Sequence, residues 1–198
     1  MKTSLKVIGS LLAGLMLTPA VQAGDLKLGT PNYGGSGCPG GTASVTLSPD
    51  KKTLSILFDE YIVEAGDNGK SLDRKSCNIA IPVHVPNGYS LSIFQVDYRG
   101  YAYVPYMGQA RFSAEYFFAN SRGLRMSETF RGEYDDEYLI TDRLMAESLV
   151  WSACGANTNL RINSSMLVRS NRWKDPVFAT VDSADIKSGL IYHFQMRR

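Results

Sequence analysis

Apolar and polar residues alternate with a period of two along most of this chain, and this alternation restricts it to folds built from strands. In the segment 44–58, apolar residues on both sides of a short turn are separated by serine and threonine; these apolar residues are Val45, Leu47, Leu54, Ile56 and Phe58. Successive side chains of a strand point to opposite faces, so one face of such a segment is buried. The sequence Ser-Pro-Asp-Lys-Lys between the two runs predicts a hairpin turn.

A second alternating run covers residues 79–85 and ends at Pro86-Asn87-Gly88, before another run at 89–96. This pattern predicts a second hairpin. Pro82 lies inside the first of these runs and has no N–H to donate to a ladder. We therefore expect its strand to lie at a sheet edge or to bulge there.

Further short alternating runs are separated by glycine, asparagine and aspartate, at 101–104, 109–118, 127–130, 138–142, 149–151, 160–168 and 190–196. About ten strands in one domain predict a sandwich or a barrel. We predict an all-β fold over residues 24–198: a single-domain, antiparallel, jelly-roll-like β-sandwich. One segment competes as a helix, 142–149 with the sequence DRLMAESL, but it is short and has no glycine after it.

The first 23 residues are typical of a secretory signal peptide. Lys2 and Lys6 precede an apolar run at 7–17, and small residues end the segment at Ala23. The run is too short to cross a bilayer as a helix, and no later segment comes closer. We expect cleavage near Ala23 and a secreted or periplasmic mature chain without a membrane span.

The charge balance argues against a nucleic-acid partner. The chain has 21 lysines and arginines against 19 aspartates and glutamates. Cleavage would remove Lys2 and Lys6, so the mature chain would carry almost no net charge. Nucleic-acid binders normally need an excess of basic residues.

Three cysteines in an exported chain allow one disulfide and leave one thiol. Cys38 lies in a glycine-rich lead with few side chains to pack, and Cys77 begins the next pair of runs. We predict a Cys38–Cys77 disulfide and a free thiol at Cys154. Two reduced, buried cysteines are the alternative, and a metal site is less favoured because no histidine lies near either residue.

Several motifs, in order, resemble the secreted family called domain of unknown function 4360: GSGCPGG, LSPDKKTLSILFDEY, DRKSC, VDYRGYA, TFRGEYDDEY, LVWSACGA, LRINSSM and YHFQMRR. The resemblance runs from about Tyr33 to the C-terminus. It implies the fold, export and the arrangement of cysteines, but no activity. Family members carry a fourth cysteine near the C-terminus, whereas this chain ends at Arg197-Arg198. If the third and fourth cysteines pair in relatives, Cys154 has lost its partner here.

No catalytic constellation emerges. Both histidines, His84 and His193, lie within alternating runs, and no GxSxG motif occurs. Carboxylates could support a glycosidase-like hydrolase, but their spacing selects no pair; the candidates are Asp59, Glu60, Asp97, Glu115, Glu133, Asp135, Asp136 and Glu137. We predict no catalytic residues, no metal site and no cofactor. Calcium is kept as an alternative at the acidic segments 66–73, 133–137 and 181–185.

Aromatic residues supply the strongest functional signal. The segment VDYRGYAYVPYMG places four tyrosines near Arg99, and alternation puts Tyr101 and Tyr103 on one face. Exposed rings can stack on the apolar faces of sugars. We predict a ligand-binding surface for a glycan or another cell-envelope component, formed by Tyr98, Arg99, Tyr101, Tyr103 and Trp173. Core tyrosines are the alternative for this segment, and an exported hydrolase or a structural envelope protein are the alternatives for the function.

Overall fold

A computed structural model describes residues 26–49, 53–119, 121, 123–144 and 150–192. The signal peptide and its cleavage site, His193, and residues 145–149 of the possible helix lie outside these residues. The described residues contain fourteen strands: β1 (Lys27–Leu28), β2 (Asn32–Gly34), β3 (Ala43–Leu47), β4 (Thr53–Phe58), β5 (Ile62–Ala65), β6 (Leu72–His84), β7 (Tyr89–Val104), β8 (Gln109–Phe118), β9 (Leu124–Arg131), β10 (Tyr134–Arg143), β11 (Val150–Trp151), β12 (Asn157–Arg169), β13 (Val177–Thr180) and β14 (Ser183–Tyr192).

The strands form two antiparallel sheets that pack together as a β-sandwich. The six-stranded sheet has the order β1-β6-β12-β8-β9, and β2 also pairs with β6. The eight-stranded sheet has the order β3-β4-β14-β7-β13-β5, and β10 and β11 pair with the other side of β7. From β5 to β8 each successive strand lies in the opposite sheet. The predicted all-β, jelly-roll-like sandwich is confirmed.

The core lies between the sheets and is filled by the alternate residues that the sequence pattern predicts. On β6 the inward side chains include Ile79, Ile81 and Val83, each at most 3% exposed. Large rings from β7 and β8 fill the centre, among them Tyr98 and Phe112, whose centroids lie 4.5 Å apart. Burial of these apolar side chains stabilises the packing of the two sheets.

The predicted disulfide is present. Cys38 and Cys77 are both fully buried and bonded, with 39 residues of sequence separation. The glycine-rich lead lies directly against β6, since Gly37 N donates to Ser76 O at 2.9 Å. A Cβ at Gly35 would come within 2.2 Å of that same carbonyl oxygen, and its φ of +145° also disfavours other residues. Glycine at position 35 therefore lets the lead come close to the β6 backbone, and the disulfide fixes the two segments in this position.

The first predicted hairpin is confirmed, because β3 pairs with β4 in register Val45↔Ile56. The second is wrong. β6 and β7 belong to different sheets, so residues 86–88 connect the two layers of the sandwich rather than two paired strands. The turn signal identified a change of direction, but it carried no information about the pairing partner.

The strand that holds Pro82 is not the edge strand expected: β6 lies second in its sheet, with β12 on one side and the short β1 and β2 on the other. Its register with β12 shows no bulge. The Pro82 carbonyl accepts a hydrogen bond from Gly29 N at 2.8 Å. The N and O of one strand residue point to the same side, so the Pro82 nitrogen also points toward the edge, where only the short β1 and β2 lie. In the described part of the chain, no helix has the length and apolar character needed to cross a membrane.

Candidate functional site

Three half-buried aromatic rings lie together on the outer face of the eight-stranded sheet. Tyr101 and Tyr103 come from β7, and Phe178 comes from β13, which pairs with β7 at Tyr103. The Phe178 ring lies 5.4 Å from the Tyr101 ring and 6.1 Å from the Tyr103 ring, with planes inclined by 26° and 25°. We call these three residues the aromatic strip. With these distances and small angles between planes, the three rings form one stacked aromatic cluster.

Polar groups border the aromatic strip. The Tyr101 hydroxyl donates a hydrogen bond to a carboxylate oxygen of Asp135 on β10. This bond, together with the negative charge of Asp135, raises the pKa of Tyr101 above its ordinary value. Tyr101 therefore stays a neutral donor, and the Asp135 carboxylate keeps further acceptor capacity at the rim of the strip.

Arg99 is exposed, as predicted, and lies two residues before Tyr101 on the same face of β7. Its strand partners are Leu139 on β10 and Ser183 on β14. Arg99 thus supplies charged donors at the Tyr101 end of the aromatic strip, while Asp135 supplies acceptors beside Tyr103. Apolar ring faces with polar groups beside them form an amphipathic surface.

The assignment of Tyr98 to the ligand surface is wrong. Its side chain is 2% exposed and packs in the core against Phe112 and Tyr116. Because strand residues alternate between faces, Tyr98 points away from the face that carries Arg99 and Tyr101. The prediction grouped tyrosines by closeness in sequence, and the alternation of β7 separates them.

Trp173 is 52% exposed in the loop between β12 and β13, as predicted. The Arg172 guanidinium lies 4.1 Å from the centroid of its ring, in cation–π contact. The buried side chain of Asn171 donates to Tyr106 O at 2.8 Å and so ties this loop to the β7–β8 turn. The β7–β8 turn follows Tyr103, and the β12–β13 loop precedes Phe178, the strand partner of Tyr103, so Tyr106 and Trp173 lie at the Tyr103 end of the aromatic strip.

Two residues of this region were missing from the predicted site. Phe178 belongs to a four-residue strand, Val177–Thr180, which is too short to show a clear alternation. Tyr106 was noted among the tyrosines but not assigned to the site, and it is 61% exposed. A search for apolar–aromatic pairs flanked by proline, as in Asp-Pro-Val-Phe, could have found Phe178.

The carboxylates considered for hydrolysis are distributed over different surfaces. Glu115 lies on the outer face of the six-stranded sheet, whereas Asp97 and Asp135 lie on the outer face of the other sheet. His84 is exposed on β6 and hydrogen-bonds through Nδ1 to the Asn157 side chain. In the described ranges, no three His, Cys, Asp or Glu side chains form a cluster suited to a metal ion. Calcium stays an untested alternative.

The third cysteine, Cys154, is free, as predicted, and it is exposed. It follows β11 and precedes Gly155, whose N donates to Tyr89 O at 3.0 Å. The thiol is therefore accessible at the surface, away from the buried Cys38–Cys77 bridge.

Comparisons with known proteins identify a family for this chain. The family model described as domain of unknown function (DUF4360) matches residues 25–198. An uncharacterized secreted protein of Arthroderma benhamiae is 34% identical over 168 residues, covering 84% of this chain and 69% of that protein. Two solved structures are similar at greater distance. TmCBM61 in complex with beta-1,4-galactotriose has a TM-score of 0.32 and 10% identity, covering 82% of this chain and 88% of that one. The enzymatically active domain of bacteriophage CBA120 tailspike protein 4 has a TM-score of 0.23 and 13% identity, covering 81% and 19%. Both TM-scores lie below 0.5, so neither similarity carries an argument about this chain.

Proposed function

Because this chain belongs to the DUF4360 family, whose name assigns no activity, we propose a function from its own surface: it is an exported, non-catalytic protein that binds a carbohydrate of the cell envelope or surroundings. The aromatic strip is the observation that carries this proposal. Three neighbouring rings at the surface of a rigid sheet expose apolar area. Such exposure does not stabilise the fold, and exposed apolar patches often mark binding sites.

The aromatic strip and its polar neighbours are complementary to the surface of a sugar. A pyranose ring has C–H groups on its faces and hydroxyls around its edge. The rings of Tyr101 and Tyr103 would contact the C–H faces, while Asp135 and Arg99 would accept from and donate to the hydroxyls. Trp173 and Tyr106 would extend the contact at the far end.

The sheet that carries the aromatic strip is rigid, and this rigidity favours binding of a ligand across its surface. Tyr103 pairs with Asp135 on one side and Phe178 on the other, so β7 is held by neighbours on both edges. A site placed on paired strands loses little conformational entropy when it binds. A binding module needs no more than such a prearranged surface.

Export is part of the proposal. The leader at residues 1–23 supports it, and so does the buried disulfide, since such bridges persist in oxidising compartments. The relative from Arthroderma benhamiae is named as a secreted protein. Processing could be checked by N-terminal sequencing of the protein from the culture medium and the periplasm, where we expect a start near Gly24.

A retention experiment on neutral polysaccharides tests the binding proposal. Wild-type protein would be passed over a panel of immobilised neutral polysaccharides, together with the double variant Tyr101→Ala/Tyr103→Ala. We expect the wild type to be retained on at least one polysaccharide and the double variant to elute without delay, because both large rings of β7 are gone.

Phe94→Ala is the matched control, because Phe94 is 46% exposed on the same strand but lies outside the aromatic strip. Retention of this variant should equal that of the wild type. Equal retention of the double variant and the wild type would refute the assigned surface. Absence of retention on every polysaccharide would favour the alternative of a structural envelope protein.

A further inference from the structure

A polar groove of about 550 Å³ crosses the outer face of the six-stranded sheet, opposite the aromatic strip. It extends over four strands, β6, β12, β8 and β9. Its charged side chains are three arginines, Arg74, Arg111 and Arg125, and one glutamate, Glu115. A nearly neutral chain therefore concentrates positive charge in this groove.

Strand register explains the depth of the groove. Ser76, Ser165, Ser113 and Ser127 are direct neighbours across the four strands. The Ser113 and Ser165 hydroxyl oxygens are 3.1 Å apart. Four small side chains in one row leave a trough between the longer side chains of the adjacent rows.

The arginines lie beside this serine row with most of their donors unused. Arg74 Nη2 donates to Ser165 Oγ at 3.3 Å, and Arg111 Nη2 donates to Ser127 Oγ at 3.3 Å. Neither arginine forms a salt bridge to a described carboxylate. A guanidinium carries five N–H donors, so each keeps several for a ligand and can bind a carboxylate through two of them.

The opposite side of the serine row is more balanced. Arg125 forms a salt bridge with Glu115, with Nη2 and Oε2 3.4 Å apart. Asn78 and Asn163 are neighbours in register there and supply amide donors and acceptors. The groove thus offers unpaired guanidinium groups on one side, and two amides beside an ion pair on the other.

This lining selects among anionic ligands. Protein partners need apolar or aromatic anchors at the centre of an interface, whereas the groove presents mainly hydroxyls, amides and guanidinium groups; its apolar lining is Ala114 and Met126, which also belong to or pack against the core. Single-stranded nucleic acids need rings for base stacking, and none lines this groove. A chain of sugars that carry carboxylates suits both the unused arginine donors and the polar floor.

We propose that the serine-floored groove between Arg74, Arg111 and Arg125 is a binding site for an acidic polysaccharide, with Arg74 and Arg111 holding sugar carboxylates. This site is separate from the aromatic strip and does not depend on its proposed role. The two sites would let one molecule contact a neutral and an acidic glycan on opposite faces.

Binding to a linear polyuronate tests the site, with polygalacturonate as the probe and its carboxyl-reduced, neutral form as the paired ligand. We expect the wild type to bind the polyuronate at least about tenfold more tightly than the reduced form, and to release it as salt screens the charges. Arg74→Gln/Arg111→Gln should lower the affinity at least about tenfold, since bonds to ionised groups are the stronger ones. Glu115→Gln should raise it, because it removes the groove's negative charge.

Two controls keep the test specific. Arg143→Gln/Lys174→Gln removes the same charge at exposed positions outside the groove and should bind like the wild type. Tyr101→Ala/Tyr103→Ala should also keep its affinity for the polyuronate, which separates this site from the aromatic strip. Equal affinity for both polymers, an equal loss in the Arg143/Lys174 control, or tighter binding of a single-stranded DNA oligonucleotide would each overturn the proposal.

Discussion

Gly100, in the middle of β7, shows how a single residue fixes the contact between strands. A Cβ at this position would come within 2.3 Å of Thr180 O and 2.6 Å of the Tyr138 hydroxyl. These two atoms are themselves joined, since Tyr138 donates to Thr180 O at 2.5 Å. Gly100→Ala should therefore lower the free energy of unfolding by about 1–3 kcal/mol through overpacking. Urea denaturation would measure this loss, and an unchanged midpoint would contradict the described contact.

A second prediction at the residue scale concerns the buried polar atoms of Tyr98, Tyr116 and Asp142. The two hydroxyls and Asp142 Oδ2 are buried, and none has a hydrogen bond of normal geometry in the described residues. Burial raises the pKa of the Asp142 carboxyl above its ordinary value, and the Tyr116 hydroxyl partly offsets this increase. The folded state therefore favours the protonated acid.

The pH dependence follows from the direction of that pKa change. The carboxyl ionises in the unfolded chain near its ordinary value of 3.8, so stability falls as the pH rises above that value. Asp142→Asn removes this loss and should unfold a few degrees higher than the wild type at pH 7. Thermal unfolding at pH 3 should show no such difference, and an equal difference at both pH values would argue against titration of Asp142.

At the scale of elements, the disulfide ties the glycine-rich lead to β6. A bridge that closes about 40 residues contributes roughly 4 kcal/mol in the chain-entropy model. We expect Cys38→Ser/Cys77→Ser to lose about this much in a urea titration. Cys154→Ser is the matched control and should change stability by less than about 0.5 kcal/mol, because its thiol is exposed and unpaired. Mass spectrometry without reductant that linked Cys154 to either other cysteine would contradict this assignment.

The elements also show which parts of the structure the sequence could predict. Long alternating runs, such as the one that became β6, revealed their strands and their buried faces. Pairing between distant strands was not visible, so the connection at 86–88 was assigned to a hairpin instead of a crossover. Phe178 and the serine row were missed for the same reason. Their neighbours lie far away in the chain and meet only through strand register.

At the scale of the whole molecule, the sandwich presents two different outer faces. The eight-stranded sheet carries the aromatic strip with Asp135 beside it, and the six-stranded sheet carries the arginine-lined groove. The overall charge of the chain, near zero, does not reveal the three arginines gathered in the groove. The fold thus provides two surfaces, and both of them suit binding.

The central claim is that the aromatic strip binds a neutral carbohydrate, and calorimetric titration tests it most directly. The titrant would be a soluble oligosaccharide derived from the polysaccharide that retains the wild-type protein most strongly. It would be added to the wild type, to Phe94→Ala and to Tyr101→Ala/Tyr103→Ala. Two stacked rings lost at about 0.5–1.5 kcal/mol each predict a dissociation constant about 5- to 150-fold higher for the double variant. Phe94→Ala should match the wild type. An unchanged dissociation constant in the double variant, with its fold intact, would contradict the account.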